Sequence, residues 1–112
     1  MLTFIENSQY RYAGFVTGPF KVHKSDVTLT YKGDHFEALL LQEGQELTFD
    51  VAIQYRDDAK MVIKSEPFMP PTNSDLTNMT LICTAEITED ALTGIIEIPT
   101  YSATLSLNFQ RV

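Results

Sequence analysis

Cys83 is the single thiol of the 112-residue chain, and His23 and His35 are its two imidazoles. A nucleophilic cysteine needs a nearby histidine or a helix N-terminus to favour the thiolate. Cys83 instead falls between Leu81 and Ala85 on the apolar side of an alternating run, where a thiol packs as a small hydrophobe. His23 and His35 stand on separate segments, and neither is read as forming an i, i+2 or i, i+4 ligand pair with another His, Cys, Asp or Glu in a metal spacing; His35, beside Asp34, reads as a solvated turn residue. Asp57 and Asp58 read as a β-turn, because a calcium loop needs further oxygens and a distal glutamate. Glu86 and Glu97 both take outward parity, which argues against the converging carboxylates of glycoside chemistry. No nucleophile elbow, phosphate-cradling glycine loop or dinucleotide fingerprint is present in the sequence. The expectation is no catalytic residue, no metal and no cofactor.

The elements that position these side chains read as strands. Thirteen threonines and many Val, Ile, Tyr and Phe suit a pleated surface. Three runs alternate with a period of two: Leu47, Phe49, Val51, Ile53 and Tyr55; Met79, Leu81, Cys83, Ala85 and Ile87; and Ala103, Leu105, Leu107 and Phe109. Shorter runs are Leu2–Ile5, Tyr10–Val16, Phe20–His23, Val27–Tyr31, Phe36–Leu41, Met61–Glu66 and Gly94–Ile98. Turn residues separate several of them, as in Lys32-Gly33-Asp34, Glu43-Gly44-Gln45 and Arg56-Asp57-Asp58-Ala59, and connections this short make neighbouring strands antiparallel. Residues 89–94 read as a short helical turn or a loop ending in a glycine suited to positive φ. Without a composition shift or repeat, residues 1–112 read as a single all-β domain. It is an antiparallel up-and-down meander of about eight to ten short strands that closes into a barrel, with a β-sandwich as the alternative.

Fifteen acidic against eight basic residues leave a net charge of −7, with residues 1–32 at +2 and the remainder at −9. Such a surface repels phosphate backbones and anionic lipid, so neither generic nucleic-acid binding nor membrane binding is expected. No apolar run approaches the roughly 20 residues of a membrane-spanning helix. Met1-Leu2-Thr3-Phe4 runs directly into Glu6 and Asn7 without the pattern of a signal peptide, and a lone cysteine suits a reducing compartment; the expectation is cytoplasmic.

Gly18-Pro19-Phe20, and a last strand ending in Arg111, resemble the two ends of the calycins, the lipocalin-like barrels. The resemblance implies a barrel that commonly holds a small apolar ligand, closed at one end by Arg111 packed across the ring of Phe20, which here replaces the family's tryptophan.

The function expected from this reading is non-enzymatic binding: capture of a small apolar or amphipathic ligand inside the barrel, with Tyr31, Tyr55 and Arg111 as polar handles. The alternative is a protein-interaction or inhibitor module with a packed barrel, recognising its partner through the Pro67–Thr77 loop. There, prolines flank the apolar pair Phe68 and Met69 and stiffen the segment. The interior discriminates the two readings, since bulky inward residues such as Leu47, Phe49, Leu105 and Phe109 would leave little room.

Overall fold

The computed structural model describes residues 2–19, 21–69 and 79–112. Eight strands follow in order: Gln9–Thr17 (β1), Val22–Tyr31 (β2), His35–Gln42 (β3), Gln45–Arg56 (β4), Met61–Ser65 (β5), Ile82–Ile87 (β6), Ala91–Ile98 (β7) and Ala103–Arg111 (β8). Each pairs antiparallel with the next, and β8 returns to β1, with Tyr12 opposite Arg111 and Thr17 opposite Ser106. The sheet is therefore a closed up-and-down barrel, an architecture compatible with a calycin-like fold. Closure leaves no open sheet edge between the first and last strands.

Alternation along each strand carries apolar side chains inward. Tyr12, Leu29, Phe36, Val51, Met61, Ile87 and Phe109 are the largest fully buried side chains. Two close backbone approaches require glycine. A Cβ on Gly14 would lie 2.0 Å from the Asn108 carbonyl oxygen of β8, and one on Gly94 would lie 2.2 Å from that of Thr84 in β6. Gly94 thus sits inside β7 as a contact point between strands, not at the end of a loop, and the expected positive φ is found instead at Gly33 and Gly44 in the hairpin turns.

Three other expectations are corrected. The runs Phe20–His23 and Val27–Tyr31 do not form two strands, because from Val22 onward their residues lie in one continuous β2. Leu2–Ile5 is not a strand but a plug. Leu2 and Phe4 are buried, and the Phe4 ring meets Tyr10 edge-on at 4.8 Å and Phe36 at 5.1 Å. The plug is tied down by Leu2 N–H donating to the Asp58 carbonyl at 2.9 Å and Asn7 N–H donating to that of Tyr31 at 2.6 Å. Tyr55 does not share the inward face of Leu47 and Phe49, because the β4–β5 register shifts between Ile53 and Tyr55; a bulge of this kind redirects every later side chain.

The two barrel ends differ. The N-terminal segment closes the end bearing Tyr31 and Phe36, while at the opposite end Leu40, Leu47, Phe49, Met79 and Leu105 are only partly buried. Phe68 folds over that second end through a two-way backbone bridge to Leu81. Among the described residues, no helix is long and apolar enough to cross a membrane.

Candidate functional site

The barrel interior holds a cavity of about 30 Å³, walled by apolar side chains that include Leu29, Phe49, Ile63, Ala85, Ile96 and Leu107. Sites for small organic ligands run to roughly 300–1,000 Å³. A void this size has room for about one water, and its lining offers none of the polar partners that would hold one.

The three expected handles are not brought together around it. Tyr31 is buried at the plugged end, where its hydroxyl donates to the Gly33 carbonyl at 2.9 Å and accepts from the Arg56 guanidinium at 3.1 Å. Tyr55 is half exposed beyond the bulge and donates to Asp57 at 2.8 Å. Arg111 is exposed, with its guanidinium 5.3 Å from the ring centre of Tyr10. Arg111 does therefore cover a ring at a barrel end, but the ring described there belongs to Tyr10. Phe20, the expected partner, lies outside the described residues.

The apolar pair of the 67–77 loop is split. Phe68 is buried and stacks on Phe49, whereas Met69 is 49% exposed. Pro70–Thr77 lie outside the described residues.

The buried polar groups are mostly satisfied. Ser65 Oγ accepts from the Cys83 N–H at 2.8 Å, and Ser25 Oγ accepts from the Gln42 amide at 3.2 Å. Burial pushes the Cys83 thiol up to about 12, the opposite of what a nucleophile needs. The Tyr12 hydroxyl is buried without a hydrogen-bond partner among the described residues. Desolvation raises its pKa, assisted by Tyr10 and opposed by the Arg111 charge. Asp57 behaves as a turn residue: backbone N–H groups of Ala59 and Lys60 donate to Oδ1 at 2.8 and 2.9 Å. Those bonds, with the Tyr55 hydroxyl, hold its carboxyl below the usual range, the Ala59 amide having the largest effect.

Among the described residues, a second concavity lies on the outside. A groove of about 580 Å³ runs over the outer face of β1 to β4, lined by Gln9, Thr28, Thr30, Leu39, Glu37 and Asp50, among others. The register explains it. Gln9, Thr30, Glu37 and Asp50 form one cross-strand row, and Thr28, Leu39 and Thr48 form the next, all on outward parity.

At one end of this groove His35, Glu37 and Asp50 converge, each offering a ligand atom within 4.8 Å of the others. His35 and Glu37 are two apart on β3 and share a face, while Asp50 on β4 is the direct partner of Glu37. His35 Nδ1 lies 2.6 Å from Asp34, whose carboxyl is held low chiefly by that hydrogen bond. His35 is therefore the first residue of a strand and half-buried, with its ring anchored, and not a freely solvated turn residue. The expectation that His35 has no i, i+2 partner is corrected, since Glu37 stands two residues on along the same face of β3; the position of Asp50 opposite Glu37 needs the β3–β4 register. His23, by contrast, meets one carboxylate, Glu43, at 2.8 Å.

Compared with known proteins, the chain matches no family model, no curated protein and no solved structure.

Proposed function

We propose that this chain is a non-enzymatic protein-binding module, a lipocalin-like barrel with a filled interior that recognises its partner on the outer face of β1 to β4. The observation that carries this reading is the contrast in space: about 30 Å³ inside the barrel against about 580 Å³ in the outer groove. A packed barrel is a rigid scaffold, and a site built on strands holds its side chains more accurately than one built on a loop. The lining supports a polar partner surface, because hydroxyls of Thr28, Thr30 and Thr48, the Gln9 amide and two carboxylates surround an apolar floor at Leu39. The overall charge of −7 favours protein over nucleic acid.

Capture of a small apolar ligand is the competing reading, favoured by the wholly apolar inner wall and the partly buried Leu40, Leu47 and Leu105 at the second end. Native mass spectrometry of the protein purified from its own host separates the two. A co-purified protein that is lost in a Thr28→Arg variant, which fills the groove, is the expected result. A retained lipid-sized molecule that survives Thr28→Arg would overturn the proposal. A fluorescent fatty-acid analogue that bound saturably and raised the melting temperature would do the same.

A further inference from the structure

We propose that His35, Glu37 and Asp50 form a site for one divalent transition-metal ion of the zinc type, with an open coordination position bordering the outer groove. Metal capture stands apart from the protein-binding reading; only the use of the open position by a docked partner rests on it.

Four observations carry the site. The first is reach. Atoms bound tetrahedrally to one zinc at about 2.0–2.2 Å lie roughly 3.3–3.6 Å apart, and the three ligand atoms fall within 4.8 Å of one another. The remaining gap of up to about 1.5 Å falls to side-chain rotation on two hydrogen-bonded strands.

The second is the donor set. One imidazole nitrogen with two carboxylate oxygens suits zinc and its neighbours, whereas magnesium and calcium prefer oxygen alone. Three protein ligands leave a fourth position of the tetrahedron free. Because Glu37 and Asp50 themselves line the groove, that position is accessible to an oxygen donor lying in it.

The third is the orientation of His35. Asp34, which is not one of the donors, engages Nδ1 at 2.6 Å. Where the Asp34 carboxylate accepts the Nδ1 proton, the tautomer is fixed and Nε2 is the nitrogen left for a metal, the usual outer support of a ligating histidine.

The fourth is an electrostatic mismatch. Glu37 and Asp50 are directly opposed across the β3–β4 ladder, an arrangement that destabilises a sheet when the charges are alike. The ion pairs found among the described residues join His23 to Glu43, His35 to Asp34 and Lys60 to Glu86, so none offsets this pair. A bound dication removes the repulsion.

The test is calorimetric titration of the full, tag-free chain with zinc chloride in a non-chelating buffer, alongside calcium and magnesium chloride, with histidine ring signals followed by NMR. One zinc per chain is expected, with the His35 ring signals shifting and those of His23 fixed. His35→Ala and the double variant Glu37→Gln/Asp50→Asn should each weaken binding at least about tenfold. Asp34→Asn should weaken it by roughly 10-fold or more, in keeping with loss of an outer-shell partner, while His23→Ala leaves it unchanged. These are surface changes, and circular dichroism checks that each variant keeps its strands. Absence of saturable zinc binding by the wild-type chain would overturn the assignment, as would binding undiminished in His35→Ala, or calcium or magnesium bound as tightly as zinc.

Discussion

The rings of Phe49 and Phe68 stack face to face, with centroids 4.2 Å apart and planes 3° from parallel. This contact joins the segment after β5 to the middle of β4 and divides the work of two adjacent residues. Phe68→Ser should lower unfolding stability by about 3–5 kcal/mol, the range for deleting a buried aromatic ring. Met69→Ser should change it by less than about 0.5 kcal/mol, as expected for an exposed position. Urea denaturation of the two single variants checks the division, and equal losses would contradict it.

A second prediction tests the inward and outward faces of β8. Leu107 is buried and Ser106 exposed. Leu107→Ala should cost roughly 2–5 kcal/mol and Ser106→Ala less than about 0.5 kcal/mol. Gly94→Ala, which forces a Cβ against the Thr84 carbonyl, should destabilise the fold although it adds apolar surface. Thermal melts of all three variants provide the measurement.

The Tyr12 hydroxyl makes a third case. It is buried without a hydrogen-bond partner among the described residues. An unsatisfied hydroxyl costs about 1–3 kcal/mol. Tyr12→Phe keeps the ring and removes the cost, and denaturant midpoints should rise. A drop would mean that the hydroxyl is bonded in solution.

The Cys83 thiol sets a pH dependence. Its ordinary value of 9.0 is pushed up to about 12 by burial. Between those limits the unfolded chain has released the proton and the folded chain still holds it, so unfolding is increasingly favoured as pH rises. Stability from this group is complete below about pH 9 and declines above it. Cys83→Ala should flatten that alkaline decline. At pH 8 a thiol reagent should label the native protein only as fast as the barrel opens.

The strand faces were legible because a period of two is written directly into runs such as Leu81, Cys83, Ala85 and Ile87, all of which are buried. The up-and-down order followed from short, turn-rich connections. What stayed hidden depends on partners distant in sequence. Phe4 reads as part of a strand, yet its burial comes from Tyr10, Tyr31 and Phe36 around a barrel end that exists only after closure. Tyr55 leaves its face because of a one-residue register shift that no local pattern announces. The same holds for the metal-binding candidates. His35 and Glu37 lie on one strand, but Asp50 reaches them through the hairpin register. The outer groove likewise depends on rows that cross four strands.

The pairing of β1 with β8 has a consequence during synthesis. A nascent chain emitted only as far as β7 has two exposed edges, on β1 and on β7, and neither can be paired until the residues from Ala103 onward emerge. Up to that moment the open sheet is a template for other nascent chains. Premature termination before Ala103 would make that state permanent, so truncated products should enter aggregates or be degraded, while full-length chains escape by zipping their own seam.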